Sequence, residues 1–287
     1  MQIKADEKSA PEVLQRDSPH THMIHHTAVI HKKARLAEGV EVGPYAVIDE
    51  HVAVGSGTTI GAHCLVTGHT AIGTSCRIFS HAVIGSAPQD LKYKGEKSFL
   101  EIGDHNTFRE FCTVNPGTGE DGRTVIGSHN LFMAYVHIAH DCSIGSHNIF
   151  VNNATLAGHV TVEDHALFSA LSAAHQFVRI GKYAIVGGCS KVVQDIPPFA
   201  LVDGHPARVY GLNLVGLRRN NFPRPVMREL DQAFKILFGS GLAMKKALEQ
   251  IAREKFTSAE VAYLIGFIEN SSRGVIRSGR SCDTLEE

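Results

Sequence analysis

Two imidazoles and a carboxylate lie close together in residues 135–142, a segment otherwise made of apolar and small side chains. They belong to His137, His140 and Asp141, and two further histidines follow, His159 after 19 residues and His175 after another 16. A neutral imidazole can take a proton from a hydroxyl group that attacks a carbonyl, and it can also ligate a metal ion such as zinc. These residues therefore predict either general-base catalysis or a metal centre.

A six-residue repeat positions these side chains. Every sixth residue is apolar over residues 24–84, 102–114 and 126–192. A period of six fits neither an α-helix nor one long strand, but it fits a short strand and a tight turn that repeat many times. Glycine often follows the apolar residue, as at Gly43 and Gly55, and we expect it to serve the turn because it accepts unusual backbone angles. Successive repeats must then stack as a parallel β-solenoid.

The hexads, of the form aliphatic-Gly-x-x-x-x, resemble the hexapeptide-repeat acyltransferases. This resemblance implies a left-handed parallel β-helix in which three hexads close one triangular coil. With 18 residues to a coil, His140, His159 and His175 fall near one edge of three stacked coils, beside Asp141 and Gln176. Neighbouring coils are about 4.8 Å apart, the spacing of strands in any sheet. We expect these histidines to form a functional row.

Two segments interrupt the repeat without changing its register. Residues 86–101 begin with a charged, turn-rich stretch, and residues 115–124 are dense in proline and glycine. Both are predicted to be loops that leave the solenoid, and loops on a rigid scaffold are common places for binding groups.

After Tyr210 the apolar spacing becomes helical, and about three helices are predicted. Residues 257–260 read as a capping box at the start of the last helix. The expected fold class is mainly β: a parallel β-helix, left-handed as the resemblance implies, followed by a small α-helical C-terminal domain. The predicted organisation is a flexible extension, the β-helix, the helical domain and a flexible tail, at residues 1–22, 23–210, 211–277 and 278–287.

Composition limits the function classes. The chain has 287 residues, a formal net charge of -1 and a sequence pI near 7.0, which argues against a nucleic-acid partner. It contains no apolar run of the roughly 18 to 20 residues that span a membrane, and its polar start does not resemble a signal peptide. We therefore expect a cytoplasmic protein without an integral membrane segment. Four cysteines share one phase of the repeat and are predicted to be small interior residues, not disulfides or zinc ligands: Cys64, Cys76, Cys112 and Cys142.

Several longer strings narrow the resemblance. The segments that carry it are residues 89–93, 137–142, 152–160, 175–177, 187–190, 194–198, 211–213 and 273–277. Together they are similar to the UDP-N-acetylglucosamine acyltransferases, which perform the first step of lipid A synthesis. The resemblance covers residues 23–277.

The resemblance implies a role for individual residues. His140 corresponds to the general base, Asp141 to the residue that orients it, and the N–H of Gly158 to the oxyanion donor. Gly188 corresponds to a position in the acyl-chain pocket, where the lack of a side chain leaves room for a longer chain. The positions that correspond to substrate-binding residues are Gln89, Asp90, Lys92, His137, His159, His175, Gln176, Asn213 and Arg219.

The implied reaction moves a (3R)-hydroxyacyl group from acyl carrier protein to the 3-hydroxyl of UDP-N-acetylglucosamine. The thioester is attacked directly, with no metal and no cofactor beyond the acyl carrier. The family also implies a homotrimer with active sites between neighbouring prisms. The aromatic residues Phe150 and Phe168 near the site either suggest such an assembly or belong to the plain core. Three arginines open the helical domain, Arg218, Arg219 and Arg224, and they suit docking of an acidic carrier protein or form a solvated cationic face.

The sequence leaves alternatives open for the acceptor, the acyl donor and the reaction class. Val215, Pro206 and the pair at 115–116 depart from the family pattern and leave open a 3-amino sugar nucleotide as acceptor. A related enzyme could use acyl-coenzyme A as donor. The gamma-class carbonic anhydrases share the architecture and offer a metal-dependent alternative, although the histidine spacing of that family is not found here. A non-catalytic ice-binding solenoid would require a regular array of threonines on one face, which the sequence lacks.

Overall fold

The computed structural model describes residues 24–278, and most of this chain forms a three-sided prism of parallel strands. The extension predicted at residues 1–22 lies outside the described residues, as does all but the first residue of the tail predicted at 278–287.

Each coil of the prism gives one short strand to each of three sheets. Sheet 1 contains β1 (Val29–Ile30), β4 (Val47–Ile48), β7 (Leu65–Val66), β10 (Val83–Ile84), β13 (Thr113–Val114), β16 (His137–Ile138), β19 (Thr155–Leu156), β22 (Ala173–Ala174) and β25 (Lys191–Val192). Sheet 2 contains β2 (Arg35–Leu36), β5 (Ala53–Val54), β8 (His69–Ile72), β11 (Phe99–Ile102), β14 (Arg123–Ile126), β17 (Ser143–Ile144), β20 (Thr161–Val162) and β23 (Arg179–Ile180). Sheet 3 contains β3 (Glu41–Val42), β6 (Thr59–Ile60), β9 (Arg77–Ile78), β12 (Thr107–Phe108), β15 (Leu131–Phe132), β18 (Ile149–Phe150), β21 (Leu167–Phe168), β24 (Ile185–Val186), β26 (Ala200–Gly204) and β27 (Ala207–Leu212).

Both loops leave the prism at the same edge, the turns that connect sheet 1 to sheet 2, which we call the 1–2 edge. An uninterrupted coil pairs residues 18 apart, as Val29 pairs with Val47. Val83 instead pairs with Thr113 and Thr113 with His137, so the strands regain their register after each loop. The loops end at residues 98 and 122, earlier than predicted, because β11 and β14 extend to four residues and pair along their whole length.

The repeating apolar residues fill the interior. Four phenylalanines form a stack inside the prism, with ring centroids 4.6 Å apart for Phe108 and Phe132 and 5.0 Å for Phe132 and Phe150. Phe150 and Phe168 are 1% and 0% exposed. Of the two interpretations of these rings, plain core is therefore confirmed, and they give no support to a trimer because they pack within one chain.

The four cysteines at one phase of the repeat are free and buried, as predicted. Burial raises the pKa of both Cys112 and Cys142 to about 12, and backbone hydrogen bonds only partly offset it. These thiols are therefore inert interior groups.

The predicted role of the glycines was wrong at Gly43 and Gly55, which do not adopt left-handed angles, although it holds at Gly85 (φ 85°). The residue with a left-handed backbone is the third after the apolar position, and it is usually a large side chain, as at Tyr45 (φ 57°) and His63 (φ 56°). Stacking between coils holds these side chains, since the rings of Tyr45 and His63 are 5.1 Å apart. Glycine is needed one residue after the apolar position for space: a Cβ on Gly55 would lie 2.6 Å from the carbonyl carbon of Gly73 in the next coil.

The prism ends in an antiparallel hairpin of β26 and β27, which the sequence did not predict. Up to residue 278, where the description ends, four helices follow where about three were expected: α1 (Leu214–Arg219), α2 (Arg224–Phe234), α3 (Met244–Ile251) and α4 (Ala259–Glu269). A π-helical turn, Lys235–Gly239, continues α2.

The predicted capping box at residues 257–260 does not form. Ser258 is the N-cap of α4, but its side chain makes no capping hydrogen bond. Glu229 of α2 caps the helix instead, since it accepts hydrogen bonds from the Thr257 hydroxyl at 2.7 Å and from the N–H groups of Thr257 and Ser258 at 2.9 and 2.8 Å. The hydrogen bond from the Thr257 hydroxyl, followed by those from the N–H groups, lowers the pKa of Glu229 to about 2.

Candidate functional site

The 1–2 edge brings the central predicted residues together. His140 and Asp141 occupy the turn after β16, and Gly158 and His159 occupy the equivalent turn after β19. The two turns are joined by a hydrogen bond from the N–H of His159 to the carbonyl oxygen of His140, at 3.0 Å. Because the turns stack directly, side chains from neighbouring coils meet.

His140 pairs with Asp141. Its Nδ1 lies 2.8 Å from Oδ2 of Asp141, and the two side chains are only 14% and 13% exposed. Burial acts to raise the pKa of Asp141, but hydrogen bonds from Thr118 and His140 outweigh it and hold the pKa below its usual value. The carboxylate therefore stays ionised near neutral pH and favours the His140 tautomer that carries its proton on Nδ1, which leaves Nε2 free to accept a proton.

His159 completes this group from the next coil. Its ring lies at 90° to that of His140, with centroids 5.2 Å apart, and its Nε2 is 3.6 Å from Oδ2 of Asp141. Phe177, one coil further along, stacks on His159 with a centroid distance of 4.5 Å. The His159 ring is thereby held between a phenyl ring and the carboxylate.

Gly158 lies directly against the imidazole of His140. A Cβ at this position would be 2.6 Å from Nε2 and 3.0 Å from Nδ1 of His140. Among the hydrogen bonds of the described residues, the N–H of Gly158 is not used as a donor. A free N–H beside the proposed base is suited to receive negative charge on a carbonyl oxygen.

His137 lies on the outer face of sheet 1, just before the turn. Its Nδ1 is 2.6 Å from the hydroxyl oxygen of Thr113 on the adjacent strand β13. Burial, followed by the nearby His140, lowers the pKa of His137, so this ring is neutral near pH 7 and can donate or accept a hydrogen bond.

The first loop reaches the same place. Asp90 places its Oδ2 3.9 Å from Nε2 of His140, and its other oxygen accepts a hydrogen bond from the N–H of Lys92 at 2.8 Å. Gln89 and Lys92 are exposed beside it. The loop thus brings an acidic group near Nε2 of His140, the nitrogen that does not face Asp141.

His175 and Gln176 lie one coil further along the 1–2 edge and are exposed. The Nδ1 of His175 is 3.2 Å from the carbonyl oxygen of Gln176 and 3.4 Å from a guanidinium nitrogen of Arg273. Of the three histidines expected in one row, His140 and His159 are therefore in contact with each other. His175 instead contacts Gln176 and Arg273.

Three predicted residues lie elsewhere on the chain. Gly188 is in a turn between sheet 3 and sheet 1, and Arg219 is exposed in the last turn of α1. Asn213 caps α1, since its side-chain oxygen accepts from the N–H of Gly216 and its amide donates to the carbonyl of Tyr183, both at 2.9 Å. One chain does not bring these three to His140.

Sequence reasoning missed Thr113, Thr118 and Phe177. A signal existed for Thr113, which occupies the same phase of the repeat as His137, and for Phe177, which occupies the same phase as His159. No such signal existed for Thr118, because it lies in the second loop, where the repeat does not apply.

The donor set can be compared with a metal centre. One ligand atom from each of His140, Asp141 and His159 lies within 4.8 Å of the others, so the three could hold one ion. Oδ2 of Asp141, however, already takes hydrogen bonds from the Thr118 hydroxyl at 2.6 Å and pairs with His140 at 2.8 Å. These interactions favour an oriented base over a ligand set.

None of the helices in the described residues 24–278 has the length and apolar content to cross a membrane.

Family models match two parts of the chain. Residues 195–276 match the model described as "Udp N-acetylglucosamine O-acyltransferase; Domain 2". Residues 123–158 match the "Bacterial transferase hexapeptide (six repeats)" model.

Relatives match most of the chain. This chain is 52% identical over 259 residues to the acyl-[acyl-carrier-protein]--UDP-N-acetylglucosamine O-acyltransferase of Paracidovorax citrulli. The matched region covers 88% of this chain and 99% of the relative. The enzyme of the same name from Thiobacillus denitrificans is 49% identical over 255 residues, with the same coverage. The solved UDP-N-acetylglucosamine acyltransferase from Campylobacter jejuni is 39% identical, with a TM-score of 0.83 over 89% of this chain and 100% of that one. The Arabidopsis structure of that name gives 37% identity and a TM-score of 0.79, over 89% of this chain and 100% of that one. The predicted fold class, a left-handed parallel β-helix with a small helical C-terminal region, is confirmed.

Proposed function

Since the chain belongs to the UDP-N-acetylglucosamine O-acyltransferase family, the enzyme of the first step of lipid A biosynthesis, we propose that His140 is the general base of its acyl transfer. The donor is an acyl group on acyl carrier protein and the acceptor is UDP-N-acetylglucosamine. We propose more specifically that a (3R)-hydroxyacyl chain moves to the 3-hydroxyl of the sugar. The observation that carries the proposal is the pairing of His140 with Asp141 at 2.8 Å, directly against the unsubstituted Gly158.

In the proposed reaction, Nε2 of His140 accepts the proton of the 3-hydroxyl as its oxygen attacks the thioester carbon. Asp141 keeps the opposite nitrogen protonated and stabilises the imidazolium that forms. The N–H of Gly158 donates a hydrogen bond to the oxyanion. When the tetrahedral intermediate collapses, the C–S bond breaks and His140 returns the proton to the departing thiolate of the carrier.

Direct attack fits the residues around the site better than an acyl-enzyme does. Cys142 is the thiol beside His140, but burial raises its pKa to about 12 and its Sγ donates a hydrogen bond to the carbonyl of Ala157 at 3.3 Å. A thioester is already activated, so a positioned base and an oxyanion donor are sufficient apparatus. The proposal includes no metal and no cofactor apart from the carrier thioester.

Substrate contacts are proposed around this centre. We assign the sugar nucleotide to Gln89, Asp90 and Lys92 of the first loop, with His137 and His159 shaping the acceptor site. His175 and Gln176 extend it along the 1–2 edge. Asn213 and Arg219 are proposed to meet the nucleotide or the carrier, and the exposed arginines of the helical domain suit an acidic carrier surface.

We further propose a homotrimer, because the assigned residues lie on different edges of one prism. His140 is on the 1–2 edge, whereas Gly188 lies between sheets 3 and 1. A neighbouring copy placed against the 1–2 edge can supply the missing residues. Light scattering is expected to give a mass three times that of one chain, and a monomeric mass in active enzyme would contradict the assembly.

The enzyme is proposed to work in the cytoplasm, where sugar nucleotides and acyl carrier protein are made. Cell fractionation tests this: recovery of the chain outside the cytoplasmic fraction would contradict it.

An activity assay with purified chain tests the substrates. UDP-N-acetylglucosamine and its 3-amino analogue are each supplied with hydroxyacyl carrier proteins of several chain lengths, and with the corresponding acyl-coenzyme A. We expect O-acylation of UDP-N-acetylglucosamine from the carrier protein. A Cβ added at Gly188 would lie 3.5 Å from its nearest neighbour, the carbonyl oxygen of Ala170, so there is open space at this position. We therefore expect longer acyl chains to be used well. Product formed only from the 3-amino sugar, or only from coenzyme A, would favour the corresponding relative.

A further inference from the structure

The second loop has no part in the reaction proposed above, yet one of its residues lies against the catalytic pair. Thr118 donates to the Asp141 carboxylate with its hydroxyl, at 2.6 Å to Oδ2. Its N–H also donates to that carboxylate, at 3.0 Å to Oδ1 and 3.1 Å to Oδ2. A single residue thus holds both carboxylate oxygens.

Backbone hydrogen bonds to Lys97 and to Phe99 of β11 hold the segment around Thr118 in place. The N–H of Gly117 donates to the carbonyl of Phe99 at 3.1 Å, and the N–H of Asp121 donates to the carbonyl of Lys97 at 2.8 Å. A Cβ on Gly117 would meet the backbone of Arg123, at 2.7 Å from its Cα, so only glycine fits this turn. The hydroxyl of Thr118 is therefore presented from a fixed backbone.

The Asp141 carboxylate has two histidines as possible partners, His140 and His159. Asp141 lies in a turn with a left-handed backbone (φ 57°), and its carboxylate has His159 at 3.6 Å as the alternative partner. If the carboxylate rotated toward His159, the hydrogen bond to Nδ1 of His140 would be lost. The donors of Thr118 oppose that rotation, since hydrogen bonds to an ionised group are stronger than those between neutral groups.

We propose that Thr118 is a positioning residue of the acyl transfer, which fixes the Asp141 carboxylate so that Asp141 in turn fixes the tautomer and the direction of the His140 ring. This inference rests on the proposed function, because it assigns Thr118 to a base whose role is itself proposed. The second loop then contributes to catalysis indirectly, because it carries the third member of a Thr118–Asp141–His140 chain of hydrogen bonds.

The test compares Thr118→Val with Thr118→Ser. Valine has the shape of threonine without its hydroxyl, and we expect kcat to fall about tenfold while KM for UDP-N-acetylglucosamine changes less than about twofold. Serine keeps the hydroxyl and is expected to restore most of kcat. Thr59→Val, on the outer face of β6 and several coils from the site, is the matched control and should keep the original kcat.

A double-mutant cycle separates positioning from a merely structural effect. If Thr118 acts through Asp141, Thr118→Val should lower kcat no further in an Asp141→Asn background. An equal fall in both backgrounds would overturn the proposal, as would unchanged kcat in Thr118→Val. His140→Ala is measured in parallel. If that variant stays active, the proposed base is wrong whatever Thr118 does; if it is inactive and the cycle is additive, only the inference on Thr118 fails.

Discussion

His140→Ala is expected to lower kcat by about a thousandfold or more while the protein keeps its fold. General-base catalysis contributes about 10² to 10⁴ in rate, and here the same ring also faces the proposed oxyanion donor. The side chain lies at a turn outside the apolar interior, and Asp141 keeps its hydrogen bonds from Thr118 when the ring is removed, so the variant should remain folded. Steady-state rates with acyl carrier protein and UDP-N-acetylglucosamine, together with the affinity for the sugar nucleotide, measure the effect.

The matched control is His147→Ala, in the next turn of the same coil. His147 also lies in a turn, where its backbone is left-handed (φ 60°), and it stacks between His129 and His165 with centroid distances of 4.9 and 4.8 Å. It has no proposed part in the reaction, and kcat should stay near the original value. If His140→Ala retains kcat within tenfold of the unmodified enzyme, or loses activity only because it fails to bind the sugar nucleotide, His140 is not the base.

The architecture was predictable because one physical requirement repeats along the chain. The repeating interior position carries apolar side chains alone, so the period of six identifies the residues that are buried at that position from Val42 to Val192. The phase was also maintained through both loops, which correctly predicted that the strands regain their register. The hairpin of β26 and β27 follows no such period, and for that reason it was missed.

Local backbone conformation was harder to predict. Tyr45 and His63 adopt left-handed angles that large side chains ordinarily avoid, and stacking with neighbouring coils stabilises them there. Such stacking depends on contacts between residues 18 apart and cannot be read from local preferences. The cap of α4 also depends on a contact distant in sequence, because Glu229 lies 28 residues before Thr257 and takes the place of the predicted capping box.

The site was partly predictable for the same reason. The offset of one coil placed Gly158 and His159 beside His140 and Asp141, and these contacts are present. Thr118 could not be located, because a loop outside the repeat has no phase from which its position follows.

Gly158→Ala is expected to lower kcat by about a hundredfold, although it adds only one methyl group. That Cβ would lie 2.6 Å from Nε2 and 3.0 Å from Nδ1 of His140, so the imidazole has to move. A displacement of about 1 Å from the productive geometry can cost about 10² in rate. The backbone of Gly158 is outside the left-handed region, so alanine brings no backbone strain and the loss should appear in kcat with little change in melting temperature.

Gly266→Ala is the matched control, because a Cβ at that position in α4 meets nothing within 4 Å. Its kcat should be unchanged, and alanine should favour the helix. If the methyl group acts by displacing His140, Gly158→Ala should cause little further loss in a His140→Ala background. A Gly158→Ala enzyme with kcat within about threefold of the original would contradict the close packing of this glycine on the base, and with it the placement of the oxyanion donor.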